Sequence, residues 1–319
     1  MDENVYCKCL KAAYVDELGL LDGPHVVQLV TNDKIAIKIE QCAIRTIWVS
    51  SRDEINARDL YTVLLNVERL LMISDGRFFN LKELKLSDSS SSSNRLDRFA
   101  SNLRNLRLSY FKSDKMCRIN TCLCLYDAIL KAEVYENWVH LLDDLDIALQ
   151  VYLYSLSEDN MPVDVKCSFA IEQAESMLEL VKEYTGLFPS LNPGTRGTSL
   201  GMCLDALITK YGMEIFADEI KTDFELFIKT LVNSRVRVMH IKRKQKGYYL
   251  NGDESILYLH KIAMLYRYIM LSLLGINESF ILKQQDAVKN LDNWNDTRIR
   301  FLGKLKNGFK EYYEGTRTC

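Results

Sequence analysis

Four histidines in 319 residues, no Cys-x-x-Cys spacing and a net charge of only −2 set the first limits on this chain. The longest apolar run, Ile262 to Ile276, is interrupted by Arg267. It falls short of the roughly 20 apolar residues a spanning helix needs, so no membrane association is expected. The opening MDENVYCKCLK lacks a basic stretch followed by an apolar core, so no secretory signal is expected and a cytoplasmic location is. Near-neutral charge means that any contact with nucleic acid must come from a local patch. The nine cysteines are odd in number and scattered through periodic segments, which points to buried thiols in a reducing compartment. The pairs Cys7/Cys9 and Cys122/Cys124 lack the two further ligands a zinc site requires. No metal and no cofactor are expected.

What is present divides into two patterns. In the first third, residues alternate: Val26–Thr31, a polar turn at Asn32-Asp33-Lys34, then Ile35–Glu40 predict a hairpin, and Ala43–Val49 a third strand. Between Asn56 and Ile73 the period becomes helical through Leu60, Val63, Leu64, Val67, Leu70 and Leu71, and Asp75-Gly76 closes that helix. Leu81–Leu86 returns as a strand, Ser89–Ser93 reads as a surface loop, and Leu103–Tyr110 and Met116–Leu125 lean towards strand.

From Ala128 onward nearly everything is helical. One helix is predicted over about 129–156 and another from Pro162-Val163-Asp164, with Ile171, Ala174, Leu178 and Val181 on its inner stripe and Glu175 beside it. A loop follows at Phe188–Gly194, then a helix capped by Thr198 or Ser199. Ile256–Leu274 is apolar nearly all round, so it is a central helix or one shared with a partner subunit, with Gly275 as its C-cap. In the last forty residues Trp294, Ile299, Leu302, Leu305 and Phe309 are candidates for the packed face. The expected class is α+β: a β-rich N-terminal module over 1–127 and an all-α bundle over 128–319.

One stretch stands apart. Phe224, Phe227, Ile228, Leu231 and Val232 form an apolar helical stripe whose next member is Arg235. A guanidinium facing a core needs a partner. His240 follows five residues later, then the basic run Lys242-Arg243-Lys244-Gln245-Lys246. Together these suggest a phosphate site. Thr198-Ser199-Leu200-Gly201-Met202-Cys203-Leu204 with Tyr211-Gly212, the helix into Arg235-x-x-x-x-His240, the ending Tyr258-Leu259 to Leu274-Gly275-Ile276, and the helix Phe169–Glu175 resemble the ApeA-like HEPN domain over roughly 160–280. The β-rich part is similar to the N-terminal domain that accompanies HEPN in ApeA-type defence proteins.

The resemblance implies a helical bundle that dimerises through the helical domain, an R-x(4–6)-H motif formed by Arg235 and His240, and metal-independent ribonuclease activity in antiphage or toxin-like defence. RNA cleavage of this kind needs a base for the 2′-hydroxyl and a cation for the phosphorane, roles that suit His and Arg. Five residues along a helix turn through roughly 140°, so the helix is expected to end or distort between Arg235 and His240, or the two to act across a dimer cleft. Glu175 is the expected carboxylate for Arg235. Arg237, Lys242, Arg243, Lys244 and Lys246 are expected to grip RNA phosphates, with Tyr248 and Tyr249 stacking on bases. Nucleolytic members usually carry a polar residue after the motif Arg, where this chain has Val236. The alternative reading is therefore an inactive HEPN module that binds RNA, nucleotide or a protein partner.

Overall fold

Alternation builds a five-stranded sheet at the start of the chain. The computed structural model describes residues 5–15, 25–41, 44–78, 80–87, 93–105, 107, 122–157, 161–241 and 247–310. Strands β1 (Tyr6–Val15), β2 (His25–Val30), β3 (Ala36–Gln41), β4 (Ile44–Asn56) and β5 (Asn80–Ser87) pair antiparallel in the order β2-β3-β4-β1-β5. The β2–β3 hairpin closes where expected: Lys34 takes φ 60° and its N–H donates to Thr31 O at 2.9 Å. Every second residue of the strands turns into the core, among them Leu10, Ala12 and Tyr14 of β1 and Ile37 and Ile39 of β3. Strand β1, between β4 and β5, has no counterpart among the sequence expectations.

Helix α1 (Ala57–Asp75) packs on β4 and β1. Asn56 caps it by accepting from Arg58 N, and Gly76 ends it at φ 69°, a left-handed position that glycine enters without a Cβ penalty. Two buried carboxylates of α1 are tied to groups from elsewhere in the same unit: Glu68 to the Tyr14 hydroxyl and, at 3.0 Å, to Arg107, and Asp75 to Arg45 at 3.2 Å and Tyr126 at 2.7 Å. Helix α2 (Ser93–Asn105) packs on β5. Leu103, expected to open a strand, ends this helix instead, because its stripe continues from Leu96 and Ala100 at intervals of four and three, and all three are buried. Most of the loop and strand expected over 88–121 lies outside the described residues.

Next come α3 (Tyr126–Ile129), α4 (Ala132–Leu156, broken at Asp146), α5 (Val163–Glu172), α6 (Ala174–Thr185), α7 (Leu200–Tyr211), α8 (Ala217–Met239) and α9 (Asp253–Leu273), followed by α10 (Gln284–Lys289) and α11 (Asn295–Lys306). A sheet-bearing region thus precedes a helical one. Two compact units share the chain. The first takes the described residues of Met1–Met116, Cys124–Asp143 and Leu274–Ile281, and the second those of Cys117–Leu123, Asp144–Leu273 and Leu282–Cys319.

In the second unit α9 is the central element, packed against α5, α6, α7 and α11. Residues 254 and 255 and every residue from Leu257 to Leu271 on it are buried. Among the described residues it is the one helix long and apolar enough to cross a bilayer, and 83% of its most apolar stretch is buried within the protein. Ser199 caps α7 by accepting from Met202 N at 3.3 Å. Of the C-terminal candidates, Leu305 and Phe309 are buried, but Ile299 is 57% exposed and lies off the packed face of α11.

Candidate active site

Helix α8 is built in two segments. Asp223 leaves helical geometry (φ −167°, ψ 90°) and its carboxylate accepts from Leu226 N at 3.0 Å, so it starts the second segment as an N-cap. Along that segment Phe227, Ile228 and Leu231 are buried, with the Phe227 ring 5.7 Å from Phe216 and 5.2 Å from Tyr258. The apolar stripe therefore fixes which way the helix faces, and Arg235 arrives at its end as the sequence pattern requires.

The side chain that meets Arg235 is Glu172, the last residue of α5. Arg235 Nε donates to Glu172 Oε2 and Nη2 donates to Oε1 at 2.5 Å, a two-pronged guanidinium–carboxylate pair. Side-chain exposures of 23% for Arg235 and 34% for Glu172 put the pair at the rim of the bundle, open to solvent on one side. The hydrogen bonds to Glu172 raise the pKa of the guanidinium above its ordinary value. Glu175, expected to be this partner, is displaced from the role by the chain itself: α5 ends at Glu172, Gln173 intervenes and α6 begins at Ala174. Glu175 remains in the neighbourhood, half-buried. Burial and the adjacent Glu172 hold its carboxyl above the usual range, with Arg235 pulling the other way.

His240 lies where the helix stops. The last helical residue of α8 is Met239, and His240 caps it with its N–H on Val236 O at 3.2 Å. Ile241 then takes φ 48° and is 88% exposed. The exit from helical geometry, combined with the reach of an arginine, brings Arg235 Nη1 to 3.5 Å from His240 Nε2 within one chain. Three nitrogens of Arg235 thus have distinct surroundings: two are held by Glu172 and the third points at the imidazole. A phosphate arriving at this rim would meet a cation and a proton carrier together.

The remaining expected residues separate clearly. The guanidinium of Arg237 lies 3.9 Å above the Tyr249 ring and 3.9 Å from Asp164, so Tyr249 already serves as a cation–π surface. Lys242, Arg243, Lys244 and Lys246 lie outside the described residues. Tyr248 is a core residue rather than a base platform. It is 5% exposed, stacked parallel on Phe309 at 3.9 Å, and its hydroxyl donates to Glu254 at 2.8 Å. Apolar stacking and a buried hydroxyl bond leave no face of that ring for an RNA base. Val236 is half-buried.

Sequence reading missed Glu172, although a signal for it existed. Asp164, Ser168 and Glu172 recur every four residues on α5, a polar stripe along a helix that is otherwise largely apolar. All three turn to one stretch of α8: Asp164 towards Arg237, Ser168 Oγ to Ser234 O at 3.4 Å, and Glu172 to Arg235. The chain after the basic run is pinned to the same stretch. Asn233 Nδ2 donates to Tyr248 O at 3.1 Å and Leu250 N donates to Ser234 Oγ at 2.8 Å. A Cβ at Gly247 would meet the Asn233 carboxamide at 2.2 Å, so that side chain would have to give up its place beside Tyr248 O.

Residues 180–280, within the helical part of the chain, match the family model described as Apea-like HEPN. Arg235 and His240 fall inside the matched region, and Asp164 and Glu172 precede it. No curated protein and no solved structure matches the chain.

Proposed function

We propose that this chain is a HEPN-type endoribonuclease that cleaves RNA without a metal ion, acts in the cytoplasm as a homodimer through its helical domain, and serves antiphage or toxin-like defence. The observation that carries the reading is the 3.5 Å approach of Arg235 Nη1 to His240 Nε2 at an open helix end, inside a region matching an Apea-like HEPN domain. In the proposed reaction His240 takes the proton of a ribose 2′-hydroxyl, whose oxygen attacks the adjacent phosphorus. Arg235 stabilises the charge on the phosphorane oxygens. The 5′-oxygen leaves and takes up the proton held by His240, directly or through water, giving a 2′,3′-cyclic phosphate and a neutral imidazole. Glu172 is a positioning residue that orients the guanidinium. Arg237 and the run from Lys242 to Lys246 grip flanking phosphates, and the sheet-bearing module senses the trigger.

Purified full-length protein, incubated with single-stranded RNA in EDTA, should release cyclic-phosphate ends. His240→Ala and Arg235→Ala should each lower the rate by roughly 10²-fold or more. Equal degradation by His240→Ala and wild type would remove His240 from the mechanism.

A second reading, a HEPN module that binds RNA without cutting it, is favoured by the double hydrogen bond from Arg235 to Glu172, which leaves a single edge of the guanidinium available, and by Val236. It predicts salt-sensitive RNA binding with no cleavage, and cleavage lost in Arg235→Ala sinks it.

A further inference from the structure

The chain that leaves α8 at His240 comes back to the same helix. At Gly247 it lies against the Asn233 side chain, about two turns before its point of departure. Between there and α9, alternate residues are hydrogen-bonded. Tyr248 O accepts from Asn233 Nδ2 at 3.1 Å, Leu250 N donates to Ser234 Oγ at 2.8 Å, and Gly252 N donates to Asp164 Oδ1 at 3.0 Å. The side chains of Tyr248 and Leu250 are buried, so the core anchors this returning segment and the hydrogen bonds set its register on α8.

The partners belong to the candidate site. Asn233 and Ser234 directly precede Arg235, and Asp164 heads the stripe that ends at Glu172. Ser234 is the most committed of them. It is buried, its hydroxyl donates to Thr230 O at 2.7 Å while accepting from Leu250 N, and its carbonyl accepts from Ser168 Oγ at 3.4 Å. The turn back begins just past the helix, at Ile241, with φ 48°. Glycine enters that region freely, whereas a β-branched residue stays there only where its surroundings hold it. The exposed side chain of Ile241 gives no such hold, and its N–H reaches back to Val238 O at 3.1 Å. The returning segment supplies the rest, because a chain tied down beside Asn233 and Ser234 has to reverse on leaving α8.

We propose that Ser234, assisted by Asn233 and Asp164, is a positioning residue for the candidate site: by fixing where the chain returns, it keeps Ile241 at positive φ and the His240 imidazole beside Arg235. The rate readout of this inference rests on the proposed cleavage reaction, whereas hydrogen exchange reads it without turnover.

The test compares full-length wild type with Ser234→Ala and with Ser234→Ala/Ile241→Gly. Alanine leaves the buried Leu250 N–H without its acceptor and changes neither motif side chain. For Ser234→Ala, kcat for RNA cleavage should fall roughly tenfold with KM within about twofold of wild type. Amides of residues 236–241 should exchange roughly tenfold faster, while those of α9 keep their protection. Glycine populates positive φ about as readily as negative, so the double variant should return both readouts to within about threefold of wild type. A plain loss of packing would not be repaired by that second change. Asn233→Ala, which removes the neighbouring hydrogen bond, should behave as Ser234→Ala does and be rescued in the same way. The proposal is overturned if both single variants exchange as wild type does at 236–241, if Ile241→Gly restores neither readout, or if α9 loses protection along with the helix end. Should wild type cleave no RNA, the proposed reaction fails and the exchange measurement alone decides: faster exchange at 236–241 that Ile241→Gly reverses supports the positioning role, and its absence overturns it.

Discussion

Lys261→Met should be among the most damaging single changes in the helical unit, and the reason lies in one pair of atoms. Lys261 Nζ is 2.5 Å from Glu219 Oε1, and both side chains are shut away from water, at 2% and 0% exposure. Tyr258 donates a second hydrogen bond to the same oxygen at 2.8 Å, while Oε2 has no partner. Methionine keeps most of the lysine's volume but leaves a carboxylate buried without its cation, a change that costs about 3–5 kcal/mol. A buried carboxyl group can escape by taking up a proton, which at pH 7 costs about 3.7 kcal/mol for an ordinary glutamic acid and at pH 5 only about 1 kcal/mol. The expected destabilisation is therefore about 3–4 kcal/mol at pH 7, shrinking to about 1–2 kcal/mol at pH 5. Because the chain has two units, a whole-chain melt is a poor measure. Hydrogen exchange of amides in α8 and α9 reads the right element, and protection there should fall by two to three powers of ten at pH 7, roughly one per 1.4 kcal/mol. The double variant Glu219→Leu/Lys261→Met should recover to within about 1 kcal/mol of wild type, since matched apolar groups replace the pair. A single variant losing less than about 1 kcal/mol at pH 7, or a double variant no better than the single, would refute the reasoning.

Burial pushes His260 down to about 4, so the unfolded chain takes up a proton as pH falls below 6.5 while the folded chain does not. Stability of the helical unit should drop by roughly 3 kcal/mol between pH 7 and pH 4 on this account, read from hydrogen-exchange protection of α9 amides, and His260→Leu should flatten that part of the profile. Gly247→Ala drives a methyl group into the Asn233 carboxamide and should cost about 1–3 kcal/mol, visible as faster exchange at the end of α8. If the proposed reaction holds, Glu172→Gln should slow RNA cleavage by roughly 10²-fold by releasing the guanidinium, and Glu175→Gln should stay within a few-fold of wild type. The reverse order would restore Glu175 as the tether.

Local chemistry made much of this fold legible. The β2–β3 hairpin, the Asn56 and Gly76 ends of α1, the Ser199 cap and the all-round burial of α9 each follow from side chains within a few residues of one another. What escaped depends on partners distant in sequence. Strand β1 is central because β4 and β5 flank it, and neither neighbour is visible from Tyr6–Val15. Tyr248 reads as an exposed aromatic after a basic run. Its real environment comes from Phe309, 61 residues on, and Glu254. In the candidate site Arg235 and the helix end before His240 were readable, whereas the choice of Glu172 over Glu175 needed the Asp164-Ser168-Glu172 stripe to be read together with the one-residue break at Gln173.

Ile241 gives the helix end a mechanical character. Chains that leave a helix through a left-handed residue usually place glycine there. A β-branched side chain at φ 48°, with 88% of its surface in water and so little packing to compensate it, holds strain of order 1–3 kcal/mol. That strain is a standing bias towards any arrangement in which residue 241 returns to negative φ. Since residues 240 and 241 share a peptide plane, such a rotation redirects His240 or the backbone leaving it. The strain therefore sits one residue from the imidazole whose Nε2 lies 3.5 Å from Arg235 Nη1.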